Sequence, residues 1–193
     1  MEPRYGLRVL SPARSRRGTP AAVAGLLLAA VYAGGADDPH PAEQAARRAF
    51  PGAQVERVTT VLTAAEQARV AELCGEKPER PLVTAYVATR DGQPAGTAYF
   101  DVHPVRTLPE TLLVVLNATG AVERVEVLSF REPPEYRAPP RWLQQFAGRG
   151  LDDELQLKRG VHGITGATLT ARATTRSVRR VLAIHQVRQE RAP

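Results

Sequence analysis

The sequence predicts an α+β domain: an antiparallel or mixed sheet, helices packed against it, and a long C-terminal helix. Two changes of hydrophobic period and one cluster of small residues carry this expectation. Up to Gly75 apolar residues recur at helical intervals; from Leu82 to Phe130 they alternate as in strands; beyond Arg141 the helical interval returns. The cluster Thr165-Gly166-Ala167-Thr168-Leu169-Thr170 opens the last helical stretch.

The chain begins with a basic leader. Residues 1–36 hold five arginines and one glutamate, and the uncharged apolar run Ala21–Ala33 leads into Gly-Gly-Ala-Asp-Asp. Basic, apolar and small-residue regions in that order form an export signal. As a helix the run spans roughly 20 Å, short of the ~30 Å hydrocarbon core. Two outcomes stay open: cleavage after Ala33 or Ala36, or retention of residues 20–36 as a membrane anchor. Either places the remainder outside the cytoplasm, in the periplasm or on the outer face of the cytoplasmic membrane. The formal net charge of +6 comes largely from this leader. The rest is close to neutral, so a nucleic-acid footprint is not expected. Residues 37–48 read as a linker and the start of the first helix, 49–187 as one folded domain, and 188–193 as a tail.

Within that domain, Pro41–Phe50 reads as a helix stopped by Pro51-Gly52. A second helix follows Thr63, with Glu66 in capping-box position and Gly75 as its end. Leu82–Ala88 and Gly96–Val102 flank an Asp91-Gly92 turn signal; Thr111–Asn117 and Ala121–Phe130 flank Asn-Ala-Thr-Gly. Four strands in two hairpins result, with a bulge expected near Glu123–Arg124, where the valines leave register. Arg141–Gly150 reads as a short helix closed by glycine. The final helix is expected from about Thr168 to Val187, with Ala171, Thr174, Val178, Val181, Leu182 and His185 on one face.

Few other chemistries are indicated. Cys74 is the single cysteine, so there is no internal disulfide, and it reads as a partly buried structural residue. The four histidines show no metal-ligand spacing. His40 reads as linker, His103 as a loop residue and His185 as a core histidine. No nucleophile elbow, P-loop or dinucleotide fingerprint occurs, and no catalytic residue is assigned. The small-residue cluster remains. A helix N-terminus carries unpaired N–H groups and partial positive charge, which suit phosphate. Plain capping by Thr165 or Thr168 is the alternative use.

His162-Gly-Ile-Thr-Gly-Ala-Thr-Leu-Thr170 resembles the flavinylation motif of the FMN-binding domain family, D-x-x-[ST]-G-A-[ST]-x-T. Thr165, Gly166, Ala167, Thr168 and Thr170 match, with Leu169 at the variable position. Ala49–Ala53, the strand pairs, the Phe130–Tyr136 stretch and Trp142–Arg149 follow in the family's order, so the resemblance covers roughly Phe50 to Ile184. It implies FMN joined by a phosphoester to Thr170, installed from FAD by a separate flavin transferase, and electron relay between redox protein partners, some of them membrane-bound. Glu132 and Tyr136 then become candidates for flavin contact, with a solvated loop charge the alternative for Glu132, and Trp142 for stacking on the ring or for the core of its helix. Two departures stand out. His162 replaces the motif's aspartate. Phe130–Glu135 keeps only the glutamate and one proline of the H-x-E-T-P-G stretch found in subunits of sodium-pumping NADH:quinone reductase and ferredoxin:NAD oxidoreductase. That favours the stand-alone exported branch. Direct oxidation or reduction of a small substrate, and a non-redox envelope binding module, are the alternatives.

Overall fold

The structure is a computed structural model that describes residues 41–191. The expected export signal or anchor, most of the linker with His40, and the last two residues of the tail lie outside the described residues. All described residues belong to one compact unit.

The element order is α1 (Pro41–Ala49), β1 (Gln54–Val61), α2 (Ala64–Cys74), β2 (Leu82–Arg90), β3 (Gln93–Pro104), β4 (Pro109–Asn117), β5 (Val122–Phe130), α3 (Pro140–Leu143) and α4 (Thr168–Arg191). Single 3-10 turns lie at Pro134–Tyr136 and Gln144–Phe146. The five strands form one sheet in sequence order, and each neighbouring pair is antiparallel. The α+β expectation holds, with an antiparallel rather than a mixed sheet.

Strand β1 has no counterpart among the expected elements. Its valines stand at 55, 58 and 61, three apart, so no alternation marks it. It is an edge strand without a buried residue, and pairing with β2 rather than its own pattern specifies it. The two expected hairpins form. Asp91 and Gly92 both adopt left-handed backbone, φ 52° and 75°, as a two-residue hairpin turn requires. The bulge appears where expected: Val115 pairs with Arg124 and Leu116 with Val122, leaving Glu123 unpaired. A second irregularity leaves Leu128 unpaired between Ser129 and Val127.

Both sheet faces are covered. Leu112, Val114 and Leu116 of β4 join Val83, Ala85 and Tyr99 against Val178, Val181 and Leu182 of α4 and Val70 of α2. The alternate residues Leu113 and Val115, with Tyr86, Ala88 and Ala98, pack against Ala45, Ala46 and Ala49 of α1 and against Phe50. Alanines let α1 lie close, and Gly96 is needed beneath it. A Cβ at Gly96 would stand 2.3 Å from the Leu116 carbonyl oxygen and 2.6 Å from the Phe50 ring. Each fully buried leucine contributes about 1.5–3 kcal/mol by leaving water.

Helix ends follow local chemistry. The Thr63 hydroxyl accepts from the Glu66 amide at 3.2 Å while Glu66 Oε2 accepts from the Thr63 amide at 2.7 Å. Gly75 closes α2 at φ 85°. The expected 141–150 helix is instead one α-turn and one 3-10 turn. It stops early because Gly148 donates to the Val122 carbonyl at 2.7 Å and Arg149 accepts from Val122 at 2.8 Å, tying this segment to β5. Helix α4 runs four residues beyond the expected Val187, where Arg191 holds Glu66 and the Val61 carbonyl. All six residues of its expected inner face are buried. Cys74 is partly buried and free, its thiol donating to the Glu76 carbonyl at 3.3 Å.

A buried polar seam joins α4 to β3 and β4. Arg180 grips Asp101 with two nitrogens at 2.7–3.1 Å, and Ser177 donates to the same carboxylate at 2.7 Å. His103 is no loop residue: at the end of β3 and buried, it bridges Asp101 at 2.8 Å and Glu110 at 3.1 Å. Thr174 donates to Glu110 at 3.2 Å. Burial pushes the His103 imidazolium down, but hydrogen bonds to Asp101 and Glu110 win and raise its pKa to about 9. Burial likewise pushes Asp101 up, but His103 and Arg180 hold it at about 2. His185 is a core histidine as expected, hydrogen-bonded to Tyr99 at 3.0 Å, and burial with the nearby Arg188 charge lowers it to about 4.

The two histidines therefore bound stability on opposite sides. His103, raised from 6.5, stabilises fully below that pH and loses its effect as pH rises through 9. His185, depressed from 6.5, stabilises above that pH and loses its effect as pH falls through 4. Urea midpoints measured across pH should peak near 6.5, with limbs on the order of 2–3 kcal/mol each. His103→Gln should flatten the alkaline limb and His185→Gln the acid limb between 6.5 and 4. Below that, Asp101 leaves a further fall in both variants.

Candidate cofactor site

Helix α4 begins from a tight turn. The Ala167 amide donates to the Ile164 carbonyl at 3.1 Å, and Gly166 takes φ 80° within that turn. A Cβ at Gly166 would meet nothing within 4 Å, so backbone conformation rather than space calls for glycine here. The first intrahelical bond runs from the Ala171 amide to the Ala167 carbonyl at 3.1 Å. The amides of Thr168, Leu169 and Thr170 precede it and are left as donors. The hydroxyls of Thr165 and Thr168 make no hydrogen bond among the described residues, so neither caps the helix. Helix α2, in contrast, carries a complete capping box.

Thr170, one turn into the helix, is only 1% exposed. Its hydroxyl donates to the Tyr136 carbonyl at 2.7 Å, on the 3-10 turn of the proline-rich loop. Beside it lies a cavity of about 190 Å³ lined by Gly166–Thr170, Glu132, Tyr136, Val105 and Arg106. Seven of the nine residues singled out in the sequence thus meet at one cavity. Thr165 sits in the adjoining turn without lining it. Trp142 does not reach it: the indole packs edge-on to Phe146 at 5.4 Å and donates to the His162 carbonyl at 2.9 Å. With Gln145, which accepts from the His162 amide at 2.8 Å, it steadies the stretch of chain that enters the motif.

Glu132 is buried, and one carboxylate oxygen accepts from three successive amides: Arg106 at 3.2 Å, Thr107 at 2.8 Å and Leu108 at 2.9 Å. The Leu108 and Thr107 amides hold its carboxyl below the usual carboxylate range. Val105 and Arg106 had no signal in the sequence. They reach the cavity from the β3–β4 connection, some sixty residues before the motif, and only the meander of the sheet brings them there. A larger groove of about 460 Å³ shares Val105 and Leu169 with the cavity and continues along Arg172, Ala173 and Arg176 of α4.

The arrangement suits the phosphate end of a larger ligand. The cavity lies below the ~300–1,000 Å³ of sites that enclose a drug-sized molecule. It offers helix N-terminal amides, an arginine and a threonine hydroxyl. These features make an α+β domain with a cavity suited to an anion at a helix N-terminus. Residues 108–183 match the sequence model of the FMN-binding domain. The match spans β4, β5, both turns and most of α4, and includes all the cavity residues except Val105 and Arg106. The chain is also 26% identical over 132 residues to one of the subunits of the Na(+)-translocating ferredoxin:NAD(+) oxidoreductase complex of Acetobacterium woodii. That similarity covers 60% of this chain and 60% of the relative's length.

Proposed function

We propose that this protein is an electron carrier outside the cytoplasm that holds FMN through a phosphoester on Thr170. The observation that carries the reading is the Thr170 hydroxyl itself: it lines a phosphate-sized cavity at a helix N-terminus that no side chain caps. When bound, FMN supplies the redox chemistry. The chain's own residues supply the anchor and the setting. Thr170 would hold the cofactor: its oxygen would form the new bond to phosphorus and lose its proton, the pyrophosphate bond of FAD would break, and AMP would depart. A flavin transferase conducts that exchange. The hydroxyl's donation to the Tyr136 carbonyl would end as its proton leaves. The amides of Thr168, Leu169 and Thr170 would hold the phosphate. The relative's name, which makes it part of an oxidoreductase complex, supports protein redox partners for this chain too.

The extracytoplasmic placement rests on the basic leader and the Ala21–Ala33 run. A reporter fused after Asp38 should be active only outside the cytoplasm; cytoplasmic reporter activity contradicts the placement.

The attachment residue can be separated from its neighbour. Thr170→Val keeps shape and branching but lacks the oxygen. With flavin transferase present, it should yield folded protein with no flavin fluorescence after denaturing electrophoresis. Its lost bond to Tyr136 should cost about 1 kcal/mol of stability. Thr168→Val should slow loading without abolishing it, because that hydroxyl could at most contact phosphate. Fluorescence retained by Thr170→Val and lost by Thr168→Val moves the linkage to Thr168.

A further inference from the structure

Arg106 is the one cationic residue among those lining the attachment cavity. It stands in the β3–β4 connection, in a turn closed by the Val105 amide donating to the Leu108 carbonyl at 3.1 Å. Its guanidinium makes no hydrogen bond or salt bridge with any described residue. Arg176, Arg180 and Arg191, by contrast, each hold a carboxylate. Glu132, on which the Arg106 charge also acts, gives one of its oxygens to the three amides of Arg106, Thr107 and Leu108 rather than to the guanidinium. That grip fixes the backbone from which Arg106 projects and offsets the carboxylate charge with amide dipoles. The guanidinium stays available. The first turn of α4 lines the same cavity.

We propose that Arg106 binds the phosphate group admitted to this cavity, and that Glu132 is a positioning residue that acts through Arg106 by holding residues 106–108. The proposal rests on the reading of the cavity as a phosphate site. A guanidinium fork matches two phosphate oxygens, while the helix amides take the others. Glu132, expected from the sequence to touch flavin, then serves the cofactor at one remove.

The test uses flavin-free protein titrated with inorganic phosphate and followed by amide NMR shifts at Gly166–Thr170. Arg106→Gln should weaken phosphate binding about tenfold with the rest of the spectrum unchanged. Arg106→Lys, which keeps the charge but not the fork, should weaken it less. Glu132→Ala should weaken it to a similar degree as Arg106→Gln, and the double variant should be no worse than the weaker single. Additive losses would mean that Glu132 acts independently of Arg106 and overturn its positioning role. Unchanged affinity in Arg106→Gln, or no phosphate-dependent shift at Gly166–Thr170 in the wild type, overturns the proposal outright. The covalent linkage is judged separately. Wild-type protein that binds phosphate yet never acquires flavin would contradict the linkage while leaving Arg106 in place.

Discussion

The carboxylate of Asp101 is where the sheet takes hold of helix α4. It receives the Arg180 guanidinium, the Ser177 hydroxyl and the His103 ring at once, with little exposure to solvent. Ser177 and Arg180 lie on one face of α4, two turns beyond the motif, so this contact fixes both the rotation and the axial position of the helix. Glu110 adds a second hold through Thr174, one turn beyond Thr170. Removing one member of such a buried pair strands the other, at about 3–5 kcal/mol. A helix rotated by one residue would turn Thr170 away from its cavity by about 100°. The position of the threonine hydroxyl therefore depends on charges placed up to ten residues further along the chain.

The cavity is assembled from three segments that have no contact in sequence. Helix α4 brings the hydroxyl and the amides, the proline-rich loop brings Tyr136 and Glu132, and the β3–β4 connection brings Arg106. Glu132 joins the second to the third, and the Thr170–Tyr136 bond joins the first to the second. The proposed attachment would end the latter bond, because the hydroxyl would lose the proton it donates. The short turn Pro134–Tyr136 carries few bonds of its own, so it can move without disturbing the sheet.

Much of this was legible in the sequence because local chemistry decided it. The Thr63–Glu66 box, the Asp91-Gly92 turn, the Glu123 bulge and the inner face of α4 are each set by residues within one turn or one hairpin. Of the residues the sequence singled out, Gly166–Thr170, Glu132 and Tyr136 line one cavity. What stayed hidden depends on distant partners. Strand β1 has no pattern apart from β2. His103 reads as a turn residue before Pro104 until Asp101 and Glu110 are seen on either side of it. Arg106 is one arginine among many until the β3–β4 connection folds back to the motif. Trp142 looks like a ring-stacking aromatic, but its indole N–H is spent on the His162 carbonyl.

The central claim is chemical: a covalent bond joins the Thr170 oxygen to the phosphorus of FMN. Phosphorus NMR of the purified, flavin-loaded protein tests it directly. The account predicts a single phosphodiester resonance, insensitive to pH between 5 and 9 (roughly the range in which a phosphate monoester takes up its second proton), with three-bond coupling to the β-proton of Thr170. A resonance that titrates as a monoester, or one coupled to the β-proton of another residue, would contradict it.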